Sequence, residues 1–160
     1  MVMWLGATAG VCAQQPAKAE EPKPLKLEVS ANKTRVCLDE GSIYLTARIT
    51  NVSRERVTID PDGVWSRVTF FAPEPSDRTY VSTSKAWFEG RKPRSRALNP
   101  GRNYKDSAHH ILSNQFFTAP GNYRVKLTYG PYAVGVERPG VYLGPVESNE
   151  LALQVVDCKK

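Results

Sequence analysis

Residues 42 to 59 read S-I-Y-L-T-A-R-I-T-N-V-S-R-E-R-V-T-I, and their period decides the fold class. Ile43, Leu45, Ala47 and Ile49 alternate with Ser42, Tyr44, Thr46, Arg48 and Thr50. Only an extended strand sends alternate residues to opposite faces, so this run predicts a strand with one apolar and one polar side. Asn51-Val52-Ser53-Arg54 then interrupts the pattern as a hairpin or arch would, before Val57 and Ile59 resume it.

The same period recurs along the chain. Tyr123, Val125, Leu127 and Tyr129 alternate with Asn122, Arg124, Lys126 and Thr128, and Leu151, Leu153 and Val155 alternate with Ala152, Gln154 and Val156. Shorter runs at Leu25-Leu27-Val29, Val36-Leu38, Val64 to Phe71 and Val141 to Leu143 add strands. No window carries a helical apolar stripe free of glycine or proline. Asp60-Pro61-Asp62-Gly63, Asn99-Pro100-Gly101 and Ala119-Pro120-Gly121 are turn sequences. Seven to nine strands with no helix to cover a sheet predict two sheets covering each other, an all-β antiparallel sandwich.

Length and composition agree. The 160 residues allow one ordinary domain, with globular values of 41% hydrophobic and 24% charged residues. The net charge of +6 is unevenly placed. Residues 91 to 105 hold Arg91, Lys92, Arg94, Arg96, Arg102 and Lys105 and no acid, and these equal the whole excess. They form a candidate site for a polyanion, because the arginine fork donates two hydrogen bonds to a phosphate or carboxylate. The competing reading is a solvated connection between strands. Nucleic acid is disfavoured as partner: the charge is one segment rather than a stripe, and no aromatic interleaves it before Tyr104.

The first thirteen residues, MVMWLGATAGVCA, are uncharged and too short to span a bilayer. They read as a signal peptide, truncated at its start, with cleavage after Ala13. Val11 before Cys12 argues against a lipid anchor there. Residues 14 to 24 form a polar, Pro-rich spacer, and 25 to 158 the domain. Cleavage leaves Cys37 and Cys158, an even pair that suggests a disulfide in a secreted or periplasmic chain; two unrelated thiols are the alternative.

No catalytic motif is present. His109 and His110 are adjacent, so a regular strand sends them to opposite faces, and no second ligand pair accompanies them. Asp60-x-Asp62-Gly63 lacks the further acids of a calcium loop, with Thr69 where a glutamate belongs. The residues imply no cofactor and no metal. Trp65, Trp87 and Tyr132 are candidates for an exposed aromatic platform, as a carbohydrate-binding module requires, whereas Tyr123 and Tyr129 keep phase with core residues. The connection from Tyr129 to Glu150 is long enough to present a binding surface. Asn32-Lys33-Thr34 and Asn51-Val52-Ser53 match glycosylation sequons, which matter only in a eukaryotic secretory pathway.

Four fragments together carry a family resemblance: L-T-A-R-I-T-N-V-S-R-E-R-V-T-I (45 to 59), L-N-P-G (98 to 101), A-P-G-N-Y-R-V-K-L (119 to 127) and S-N-E-L-A-L-Q-V (148 to 155). Their order resembles bacterial exported immunoglobulin-like domains, most nearly the proteinase-inhibitor-like (BsuPI-type) group. The resemblance implies an immunoglobulin-like sandwich whose first and last strands are neighbours, which would let Cys37 meet Cys158. It departs from antibody-type domains, having no Cys-Trp-Cys arrangement between central strands. The expected function is a non-catalytic binding module of the periplasm or envelope, its partner a protein or an envelope polymer. A carbohydrate-binding module and a proteinase inhibitor are the alternatives.

Overall fold

The computed structural model describes residues 22–38, 42–73, 79–82, 94–112, 116–130 and 139–159. The signal-peptide reading of 1 to 13 and most of the spacer lie outside them. The spacer's end does not: the Pro24 carbonyl accepts a hydrogen bond from Val52 N at 2.9 Å.

Eleven strands are described: β1 Leu25–Ala31, β2 Arg35–Cys37, β3 Ser42–Asn51, β4 Val57–Ile59, β5 Arg67–Phe71, β6 Thr79–Ser82, β7 Arg96–Leu98, β8 Asn103–Leu112, β9 Gly121–Tyr129, β10 Val146–Glu147 and β11 Leu151–Val156. One sheet has the order β1-β3-β8. The other runs β2-β11-β9-β5-β6, with β10 also on β9. A third, small ribbon pairs β4 with β7. All pairings between these strands are antiparallel except β2 with β11. The all-β expectation holds.

The alternation in β1, β3, β9 and β11 becomes burial. Leu27, Val29, Leu45 and Ile49 from the first sheet join Val68, Phe70, Val125, Leu127 and Val155 from the second in one apolar cluster. Each sheet thus keeps water off the other's apolar face, which is the main stabilising term available to a chain without covering helices.

Polar side chains fasten the sheets together. Ser148 N donates to the Leu127 carbonyl while Leu127 N donates to Ser148 Oγ, each at 2.9 Å. Next to it, Asn149 Oδ1 accepts from Val29 N at 2.8 Å and Asn149 Nδ2 donates to Val29 O at 3.2 Å. The S-N pair therefore satisfies β9 with one residue and the open edge of β1 with the next, leaving less edge to recruit another chain. Cys37 and Cys158 form a disulfide with a Cα–Cα distance of 5.5 Å, tying the end of β2 to the residue that follows β11 by two.

Two expectations need correction. The run Val64 to Phe71 is not one strand: Pro61–Trp65 is a 3-10 helix and β5 starts at Arg67. Asp60 caps that helix, accepting from Asp62 N at 3.0 Å, and Gly63 N donates to the Asp60 carbonyl. Pro at the first helical position and a capping carboxylate override the β-propensity of Val64 and Trp65. The strand expected at Val141 to Leu143, in the connection from Tyr129 to Glu150, is only an isolated bridge at Val141, and the strand lies later, at Val146–Glu147. The described part of that connection, 139–150, holds β10, a bridge from Val141 to Thr58, and a Tyr142 carbonyl that accepts from Tyr129 Oη at 3.1 Å.

Candidate functional site

The described part of the basic segment does not form one patch. β7 carries Arg96 and β8 carries Lys105, so the segment is two strands and a turn rather than a single connection. Arg94 donates to Asp62, with Nη2 2.5 Å from Oδ1, an ion pair that raises the guanidinium pKa above its ordinary value. The Arg96 guanidinium lies over the Tyr104 ring at 5.1 Å. Burial raises the Tyr104 pKa, with the charge of Asp106 acting in the same direction. Arg102 sits in the exposed turn before β8, while Lys105 belongs to the outer surface of the β1-β3-β8 sheet. Arg91 and Lys92 lie outside the described residues. Adjacency in sequence thus overstated the local field, because strand geometry, Asp62 and the Tyr104 ring divide it.

The outer surface of the β1-β3-β8 sheet holds a groove of about 330 Å³ lined by Glu28, Val29, Ser30, Thr46, Arg48, Lys105 and Asn149. Register assembles it. Glu28 is opposite Arg48, Arg48 is opposite Lys105, and Ser30 is opposite Thr46. Lys26 Nζ is 2.8 Å from Glu28 Oε1. That hydrogen bond, aided by the charges of Lys26 and Arg48, lowers the Glu28 pKa below 4.5. Tyr44, two positions before Thr46 on the same face of β3, is 47% exposed. Of this group, only Lys105 is among the residues that the sequence alone singles out. The alternation of β3 already showed that Tyr44, Thr46 and Arg48 face out, but no local pattern says which strand lies beside which.

The other candidates disperse. Trp65 is 6% exposed, packed in the core by the 3-10 helix, so its indole offers no face to a sugar. Trp87 and Tyr132 lie outside the described residues. Tyr123 and Tyr129 are buried as their phase requires. His109 and His110 stand on β8 opposite Leu45 and Tyr44. Among the described residues no cluster of three His, Cys, Asp or Glu is placed to hold a metal. Asn51 of the second sequon is fully buried and its amide is committed to backbone carbonyls, so it offers no acceptor nitrogen to solvent.

Chemically, the groove offers two cations, a carboxylate and two hydroxyls at a solvent-facing surface, an arrangement suited to holding a polar ligand.

No protein-family model matches the chain, and no curated protein does. Solved structures that align with it include a β-glucosidase from Erythrobacter marinus, at 10% identity and a TM-score of 0.43, covering 82% of this chain and 15% of that one. A β-glucosidase from Listeria innocua in complex with isofagomine aligns at 18% identity and a TM-score of 0.37, covering 78% of this chain and 16% of that one. The chain therefore spans about one sixth of those enzymes. Likeness at this level carries no argument about activity.

Proposed function

We propose that the chain is an exported, immunoglobulin-like sandwich that works as a non-catalytic binding module in the periplasm or cell envelope, with a protein or envelope polymer as its partner. The observation that carries this reading is the solvent-facing groove of the β1-β3-β8 sheet, where register gathers charged and polar side chains over a rigid apolar core. The sheet orders β1-β3-β8 and β2-β11-β9-β5 support the immunoglobulin-like assignment, as does β2 running parallel to the final strand. So does Tyr123 near the start of β9, whose hydroxyl donates to the Ala119 carbonyl at 2.9 Å, as the tyrosine of this fold bonds to upstream backbone. The disulfide supports export, since such bonds persist in oxidising compartments. No helix among the described residues is long and apolar enough to cross a membrane.

Affinity capture from native envelope extract tests the reading. A saturable partner that a pre-reduced, unfolded chain fails to retain is expected; release of small-molecule products from a panel of envelope substrates would instead make it an enzyme. The inhibitor alternative predicts stoichiometric slowing of a broad serine protease, and digestion of the chain by that protease rejects it.

A further inference from the structure

We propose that the outer face of the β1-β3-β8 sheet is a binding site for an acidic polysaccharide, with uronate carboxylates held by Arg48 and Lys105 and a sugar ring resting on Tyr44. This rests on the reading of the chain as a binding module and names its ligand class.

The sheet holds a conflict of charge. Arg48 and Lys105 are direct cross-strand partners, their Cα atoms about 5 Å apart as in any such pair. Like charges directly opposite on one face repel. Glu28 stands on the other side of Arg48, but its carboxylate is already bonded to Lys26 at 2.8 Å. Among the described residues neither Arg48 nor Lys105 forms an ion pair. A carboxylate seated between them converts that repulsion into two charge-assisted hydrogen bonds, one with the fork geometry of arginine.

The surroundings select the kind of anion. Glu28 lies in the same groove as the hydroxyls of Ser30 and Thr46, so beside its two cations the site offers partners for uncharged hydroxyl groups. A polyuronate carries one carboxylate per sugar and hydroxyls between, which Glu28 can accept from and Ser30 and Thr46 can bond. Tyr44 lies four residues from Arg48 on the same face, about 13 Å along the strand. Its half-exposed ring presents an apolar surface with a polar tip, to which the C–H face of a sugar is complementary. The site is therefore longer than one sugar, as a polymer reader needs.

Calorimetric titration of the full chain with alginate, at low and at physiological salt, tests this. Saturable binding that weakens with salt is expected, with no binding of neutral dextran. The double variant Arg48→Gln with Lys105→Gln should bind alginate about tenfold or more weakly, because two charge-assisted bonds are lost. Tyr44→Ala should weaken binding at both salt concentrations, and Arg102→Gln should leave it unchanged. All these positions face solvent, so their thermal midpoints should stay near that of the parent; if the double variant does not fold, the Arg48→Gln and Lys105→Gln single variants carry the same comparison. Unchanged affinity in the charge variants overturns the proposal. So does equal affinity for polyglutamate with indifference to Tyr44→Ala, which assigns an acidic peptide instead. Absence of alginate binding while envelope extract still yields a partner overturns this ligand class and leaves the module reading standing; absence of both removes both.

Discussion

The side chain of Asn51 donates to the Leu98 carbonyl at 2.8 Å, although 47 residues separate them. Its Nδ2 also donates to the Glu55 carbonyl at 2.7 Å, and its Oδ1 accepts from Ser53 N and Ser53 Oγ. The backbone of Asn51 takes part as well, donating to the Arg102 carbonyl and accepting from Gly101 N. Gly101 has φ +71°, a conformation that glycine adopts without strain. T-N-V-S and L-N-P-G are thus two halves of one junction around the buried Asn51 and Leu98, which sets where β7 ends and β8 begins.

Asn51→Ala removes both Nδ2 bonds and the acceptor of Ser53 N, and it strands the Leu98 carbonyl in a buried setting, while the Glu55 carbonyl keeps the Ser53 hydroxyl. Stranding buried polar groups costs about 3 kcal/mol in total. Urea unfolding should show a lower midpoint with an unchanged slope.

Reduction of Cys37–Cys158 releases a crosslink spanning 121 residues. The chain-entropy account gives a loss of about 4 to 5 kcal/mol. The non-reduced protein should gain two hydrogens in mass on reduction, and its thermal midpoint should fall; Cys37→Ser with Cys158→Ser should reproduce the fall.

Gly63 approaches the end of β9 so closely that a Cβ would run into the Gly130 carbonyl oxygen, while Gly130 N donates to Gly63 O at 3.1 Å. Gly63→Ala must move backbone rather than a flexible side chain, at a cost of about 2 kcal/mol. Thermal unfolding should register this, and Gly140→Ala, with φ +77° but open space around it, should cost less.

Glu28 and Glu147 both have pKa values lowered from 4.5, chiefly by hydrogen bonds from Lys26 and Lys126. A lowered folded pKa means that the stabilisation is present above the unfolded value and lost as pH falls through the folded one. Solvent screens both pairs, so each contributes less than about 1 kcal/mol. Carboxyl chemical-shift titration should place both midpoints below 4.5, and Lys26→Met should raise that of Glu28 alone.

The strands that bury one full face were legible in the sequence. β3, β9 and β11 announce themselves because alternation is a local property, visible without knowing the neighbour. The pair Cys37 and Cys158 pointed to the disulfide for a similar reason, since two cysteines are the even number that a single bridge needs. The 3-10 helix at Pro61–Trp65 was missed because a proline, a capping aspartate and one close glycine outweigh the apolar run that follows. The groove was missed because it depends on strand order. Glu28, Arg48 and Lys105 lie far apart in the chain and meet only through register. The basic segment misled in the opposite sense, its neighbours in sequence being parted by Asp62, Tyr104 and the pleat of β8.

The central claim is that this chain binds through the outer face of its three-stranded sheet. Amide chemical-shift mapping during titration with alginate oligosaccharides tests it most directly. Saturable shifts at Tyr44, Thr46, Arg48 and Lys105 are predicted, with the core strands β9 and β11 silent. Shifts confined to Arg94–Arg102, or none at all, would contradict it.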